Sequence, residues 1–362
     1  MSYKNLQNEY ALLLTLFTLP AIYFLQNTQS LPLILLLNAL AVTNILYSAF
    51  SVVNHADVLA YRFGEPYGAL LLSLSVVILE VSLISILMST GTIEPMLMRD
   101  TIYSIIMIVI GGLVGVTLLI GGTIFDTQRV NLGGILQYLM AIVPLSVIAL
   151  VLPVAFPNYN FDVTQKIIVS VISAVMYGVF LVIQTKTHKQ LFKYETKKET
   201  KNLQKRHLPH SSYGNAWHMV FLLLHLVSVI AITKVDSVEL DRLLEMIDAP
   251  PKTTGFLVAF LILSPEGLSA LKAGLRNQVQ RAMNILFGSV LATISLTVTI
   301  VSTIAIITQQ TIIFALSLAD IIIVSTTFVL SIISFGTGKT NQLNGVAHLT
   351  LFVVYLMVLL EI

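Results

Sequence analysis

"YGALLLSLSVVILEVSLISILMS", residues 67–89, is a run of apolar and small side chains with one charge, Glu80, near its middle. As a helix the run rises about 35 Å, enough to cross a hydrocarbon core about 30 Å thick. A carboxylate at such a depth costs several kcal/mol, at least about 2.5 on lenient scales, so an intramembrane acid marks a site of function. The same kind of run recurs along the whole chain.

Composition agrees with a bilayer environment. The chain has 362 residues, of which 56% are hydrophobic and 10% charged, and its mean hydropathy is +0.89. Soluble domains carry about 25% charged residues. Hydropathy predicts an all-α polytopic membrane protein of about eleven spans, near residues 10–26, 32–53, 67–90, 98–121, 134–156, 166–185, 216–233, 254–275, 283–307, 319–336 and 343–361. The stretch 308–320 is the hardest to place, because its apolar residues could start the tenth span early. The opening "MSYKNLQNEY" has no basic n-region and no small-residue cleavage site, so the first span is expected to be a retained helix.

Charge sets an expected orientation. With the N-terminus in the cytoplasm, fifteen Lys and Arg fall inside and five outside, which favours an inside N-terminus, an outside C-terminus and an odd number of spans. A bacterial inner membrane is the expected location. The basic loop holding Lys189 to Arg206 is expected to lie beside anionic lipid. There are no cysteines, which removes disulfides, thiol nucleophiles and Cys-based metal sites. No HExxH, nucleophile–base pair, acidic metal cluster or nucleotide-binding loop is present, so neither an enzyme nor an ATP-driven pump is expected. No cofactor and no nucleic-acid partner is expected, and the oligomeric state is left open.

The second half holds a counterpart of the opening stretch. "GFLVAFLILSPEGLSALKAG" (255–274) is a span with one acid, Glu266. Aligning Glu80 with Glu266 brings Ser104 and Ser289 into register in the following spans after a one-residue adjustment. The expected organisation is a leading helix in 1–31, a first five-helix repeat in 32–186, a cytoplasmic linker in 187–215 and a second repeat in 216–362. Five spans per repeat invert the second copy in the membrane, a plan common among secondary transporters with mid-membrane sites.

Taking a carboxylate out of water favours its protonated form. A group poised in this way holds a proton or a metal cation but not both well, which is the minimal chemistry of cation/proton exchange. Candidate residues are Glu80 and Glu266 as the shared cation and proton ligands, with hydroxyls from Ser73, Ser104, Ser264, Ser269 and Ser289. Ser73 lies two helical turns before Glu80 on the same face. Pro265 denies the carbonyl one turn earlier its usual donor, leaving an oxygen for an ion. The partners implied are inorganic cations, protons and the lipid bilayer. The alternative is a passive cation channel without proton coupling. His207, His210 and His218 are read as part of a hydrated loop. His225, His348, Asn38 and Asn44 are read as hydrogen-bonded packing residues, and Asp100 and Asp320 as interfacial.

Four stretches resemble the cation/proton exchanger (CAX) family: "YGVFLVIQTKTHKQLF" (177–192), "GKTNQLNGVAHLTLFVVYLM" (338–357) and the segments around the two glutamates, 55–84 and 261–290. The resemblance covers nearly the whole chain. It implies a leading helix, two inverted five-helix repeats, exchange of Ca2+, Na+ or K+ for protons, and cation sites around Glu80 and Glu266. The chain departs from the family's Gly-Asn-x-x-Glu pattern, reading Val76-Val77-Ile78-Leu79-Glu80 and Ile262-Leu263-Ser264-Pro265-Glu266, with Gly267 where a histidine often follows. Without the asparagine oxygens the site is a poorer cage for Ca2+, which prefers six to eight oxygen ligands, and leaves room for Na+ or K+.

Overall fold

A computed structural model describes residues 9–25, 30–63, 67–89, 95–192, 213–309 and 311–361, without the side chains of residues 57, 60, 61, 67–74, 87–89, 238 and 241. The linker from 193 to 212, with His207 and His210, and the side chain of Ser73 therefore lie outside the described residues. The described chain is helical, with helices α1 (Tyr10–Leu25), α2 (Leu31–Phe63), α3 (Tyr67–Ser89), α4 (Leu97–Phe125), α5 (Leu132–Ala155), α6 (Val163–Thr187), α7 (Asn215–Met246), α8 (Lys252–Gly274), α9 (Val279–Thr308), α10 (Leu318–Phe335) and α11 (Gln342–Leu359). Nine helices or helix portions are long and apolar enough to cross a membrane, and Tyr10–Leu25 and Ser75–Ile86 are shorter apolar stretches. The protein is a multi-pass membrane protein. Exposed Leu, Ile and Val side chains along α5, α6 and α10 suit lipid, not water.

The helices fall into two units, Met1–Ile93 with Glu195–Ala249, and Glu94–Tyr194 with Pro250–Ile362.

The first unit packs α1, α2, α3 and α7, with α2 against α7 as its most extensive contact. These two helices are 33 and 32 residues long, about 50 Å each and well beyond the ~20 residues a bilayer needs. Both outrun the predicted spans, ending at Phe63 and Met246. Polar side chains bind the helices together. The Asn44 amide lies 3.2 Å from the hydroxyls of Thr15 and Thr18, and Thr15 also meets Ser228 at 2.6 Å. Such interhelical bonds contribute about 0.6 kcal/mol each on average.

The second unit packs the other seven helices, with α4 against α11 and α4 against α8 as its largest contacts, followed by α9 against α6. Small residues make the α4–α11 approach possible: a Cβ on Gly345 would lie 2.7 Å from the Gly115 carbonyl oxygen and collide with the Leu119 amide. A short antiparallel pair, β1 (Gln128–Arg129) and β2 (Lys339–Thr340), joins the segments after α4 and α10. Three helices of this unit are interrupted by π-helical turns, at Met107–Leu113 in α4, Val147–Val151 in α5 and Ile183–Thr187 in α6. The difficult stretch resolves clearly. Residues 311–317 are not helical. They bury Ile312 and Phe314 and satisfy their backbone through Ile313 to Pro95 and Leu316 to Leu150. Helix α10 then starts at Leu318, where the Ser317 hydroxyl accepts from the Asp320 amide.

Candidate functional site

Glu80 lies in the first unit, on α3, and none of its surface is exposed. Val76 and Val77, one turn before it on the same helix face, are buried too. Helix α3 is unbroken from Tyr67 to Ser89 and packs against α2 and α7.

Glu266 lies in the second unit, on α8, at 8% exposure. Pro265 stands inside the helix immediately before it, so the Leu261 carbonyl loses its intrahelical donor. Helix α8 packs against α4 and α9. A Cβ added to the next residue, Gly267, would lie 3.0 Å from the Leu113 side chain, which places Glu266 beside the end of the π-helical turn in α4. Such turns recur at functional sites because they shift the register of a helix and release carbonyls. Here one carbonyl is claimed: His348 Nδ1 lies 2.8 Å from the Ile110 oxygen and must carry the proton it donates. Neither Glu80 nor Glu266 is without a partner.

The serines differ in what holds them. Ser264 donates to Phe260 O at 2.6 Å and Ser269 to Pro265 O at 3.1 Å. Both hydroxyls therefore spend their proton on their own helix and keep lone pairs. Ser104 on α4 is buried and accepts from the Tyr355 hydroxyl at 2.8 Å. Ser289 on α9 is buried, and its hydroxyl has no hydrogen-bond partner among the described residues. The second unit thus gathers Glu266, Ser264, Ser269, Ser104 and Ser289 on three mutually packed helices. Glu80 and Ser73 belong to the first unit.

Two acids read as interfacial, Asp100 and Asp320, lie in the first turns of α4 and α10 and are buried within the protein, at 5% and 1% exposure. Asp100 is paired with the Arg99 guanidinium at 2.7 Å, and Arg99 also donates to Ala315 O at 2.9 Å. Asp320 is paired with Lys252 at 2.6 Å and receives the Ser317 hydroxyl. A buried charge persists when it is paired and hydrogen-bonded; Arg99 supplies this to its neighbour in sequence, and Lys252 supplies it to Asp320 from the start of another helix.

Sequence reasoning missed one cluster altogether. Glu9, just before α1, meets His225 Nε2 at 3.1 Å and His55 Nε2 at 3.4 Å. His55 Nδ1 in turn lies 2.8 Å from His218 Nδ1. All four residues are buried. Burial pushes the Glu9 carboxyl up, but the facing imidazoles of His225 and His55 outweigh it and leave the group below the usual carboxylate range. The only advance sign was the seven-residue interval from His218 to His225, which puts both on one helix face. Nothing in the spacing pointed to Glu9 or His55.

A sequence model of the sodium/calcium exchanger protein family matches residues 33–186 and 216–361. The chain is 55% identical over 354 residues to the sodium-potassium/proton antiporter ChaA of Escherichia coli strain K12, covering 98% of this chain and 97% of that one. Among solved structures, its fold is similar to that of native YfkE, with a TM-score of 0.73 at 16% identity over 97% of this chain and 100% of that one. It is also similar to that of an H+/Ca2+ exchanger CAX, with a TM-score of 0.69 at 16% identity over 98% and 89%. With the family model covering both long stretches and a relative above half identity along nearly the full length, the chain belongs to the sodium/calcium exchanger protein family.

Proposed function

We propose that the protein is a secondary active cation/proton antiporter of a bacterial inner membrane, and that Glu80 and Glu266 alternately bind proton and cation. The observation that carries the reading is a buried mid-helix carboxylate in each of the two stretches matched by the family model. The antiporter named among the relatives supports it, and nothing among the relatives supports a passive channel. Carboxylates in so little water resist ionisation unless a cation replaces the proton, so exchange follows from competition for the same oxygens.

The donor set favours Na+ or K+, with Ca2+ held less tightly. Val77, one turn before Glu80, stands where the family pattern has an asparagine amide, and Ca2+ prefers six to eight oxygens. Near Glu266 the extra oxygens are the Leu261 carbonyl and the hydroxyls of Ser104, Ser264, Ser269 and Ser289. Ser73 is the corresponding hydroxyl on α3. No resident cofactor is part of this reading.

The organisation proposed is a leading helix followed by repeats in 32–186 and 216–362, joined by the cytoplasmic linker 187–215. Three regularities favour it. The two family-matched stretches have these bounds within a residue. The helices that would open each repeat, α2 and α7, are equally long and pack together. In the second unit, the third helix of each repeat packs on the fifth of the other, α4 on α11 and α9 on α6. The proposed orientation is N-terminus inside and C-terminus outside.

The test is proton flux in everted vesicles from a host lacking its own antiporters. Adding NaCl, KCl or CaCl2 to energised vesicles is expected to collapse the pH gradient, and the most effective salt names the preferred ion. Cation movement without obligatory proton counter-movement would instead establish a channel.

A further inference from the structure

Two of the seven histidines of the chain, His55 and His225, meet one carboxylate inside the first unit, and a third, His218, backs His55. Glu9, His55 and His225 each offer one ligand atom, and these atoms all lie within 4.8 Å of one another. The two imidazoles meet different oxygens of the carboxylate, His225 Nε2 lying 3.1 Å from Oε2 and His55 Nε2 3.4 Å from Oε1. A tetrahedral ion with bonds of about 2.0–2.1 Å needs ligand atoms about 3.3 Å apart. The rings of His55 and His225 are stacked, with centroids 5.8 Å apart and planes inclined by 26°.

The polar atoms are under-used as they stand. Glu9 Oε1 and His55 Nε2 face each other at 3.4 Å without a hydrogen bond, and the buried His225 Nδ1 has no hydrogen-bond partner among the described residues. Groups of this kind are costly to leave unsatisfied. A cation between Glu9 and the two imidazoles would engage the first two of those atoms at once.

We propose that Glu9, His55 and His225 form a binding site for a transition-metal dication of the zinc type, built from a donor set different from that of the exchanged ions. Two imidazole nitrogens and one carboxylate oxygen suit Zn2+ and its neighbours. Ca2+, Na+ and K+ take oxygen ligands and gain little from imidazoles. His218 is the orienting partner: with His55 Nε2 on the metal, the neutral ring keeps its proton on Nδ1 and donates it to His218 Nδ1. The fourth position is left for water. An open cleft of about 670 Å3 is lined by Tyr10 and Asn54, the chain neighbours of Glu9 and His55, but by none of the three ligands.

The consequence is mechanical. The three ligands come from the start of α1, the late part of α2 and the early part of α7. One ion would therefore clamp the leading helix to the two longest helices of the unit. Zn2+ is expected to raise the thermal stability of the protein and to slow its transport.

The experiment is a Zn2+ titration of full-length, chelator-stripped protein in detergent against a chromophoric competitor, with melting followed in parallel. Wild type is expected to take up one Zn2+ per chain and to melt at a higher temperature. His55→Gln and His225→Gln should each weaken binding by more than about 100-fold, and His218→Gln by about 10- to 100-fold. Replacing His188, His207 and His210 together, or Glu80 and Glu266 together by Gln, should leave binding unchanged. The double Glu variant separates this site from the exchange site, so failure of one reading does not decide the other. Absence of stoichiometric Zn2+ in wild type, or binding unaltered by His55→Gln and His225→Gln, would overturn the proposal. Should those variants not fold, X-ray absorption of Zn2+-loaded wild type decides: two imidazoles and a carboxylate support the site, and any other shell refutes it.

Discussion

The two units hold a glutamate at mid-helix by different means. In the first, Glu80 sits on an unbroken helix and is enclosed completely, and the helices of that unit are tied by side-chain hydrogen bonds such as those of Asn44 and Thr15. In the second, Glu266 follows a proline and lies beside a π-helical turn, and the helices approach closely through glycines such as Gly115 and Gly345. The described part of the first unit has no π-helical turn, whereas the second has three. One requirement, a carboxylate kept from bulk water, is met on an unbroken helix in one unit and directly after a proline in the other.

Neutralising either acid carries the largest expected effect. Glu80→Gln and Glu266→Gln should each reduce cation-driven proton flux to background while leaving membrane insertion intact, as judged by vesicle assay and immunoblot. If only one of them matters, the comparison between the units fails at its chemical end. The next effect is structural. Gly345→Ala should cost about 3 kcal/mol, because its Cβ meets backbone rather than a flexible side chain, and thermal melting of the purified protein measures it.

Pro265→Ala separates the two means of holding an acid. It restores the donor for the Leu261 carbonyl, so melting should not fall, yet exchange should drop roughly 10-fold through loss of one oxygen ligand. Unchanged exchange would show that the proline serves helix geometry alone. The smallest effect is expected at Asn44. Asn44→Leu should cost about 1 kcal/mol, since Thr15 and Thr18 keep their bonds to Ala11 O and Leu14 O. A larger loss there than at Gly345 would reverse the assignment of how each unit is held.

The helices were largely legible because hydropathy is a strong signal when lipid is the solvent. The exceptions have physical causes. Helices α2 and α7 run on past their apolar parts through Asn54, His55 and Arg62, and through Asp236 and Glu239; these residues look like loop to a hydropathy reading, although a helix continues readily outside lipid. The π-helical turns are invisible because "MIVIGGL" is as apolar as any α-helical turn. Glu80 and Glu266 stood out as lone acids in apolar runs. The pairs Arg99–Asp100 and Lys252–Asp320 and the Glu9–histidine cluster did not, because their meaning depends on which helix ends meet.

The central claim is that proton and cation compete for the same two carboxylates, and it is tested most directly by proton release. Purified protein in weakly buffered detergent is mixed with NaCl, KCl or CaCl2, and the pH is followed with a dye. Wild type should release protons as the cation binds, and Glu80→Gln and Glu266→Gln should each release fewer or none. Proton release that is undiminished in both variants would contradict the account.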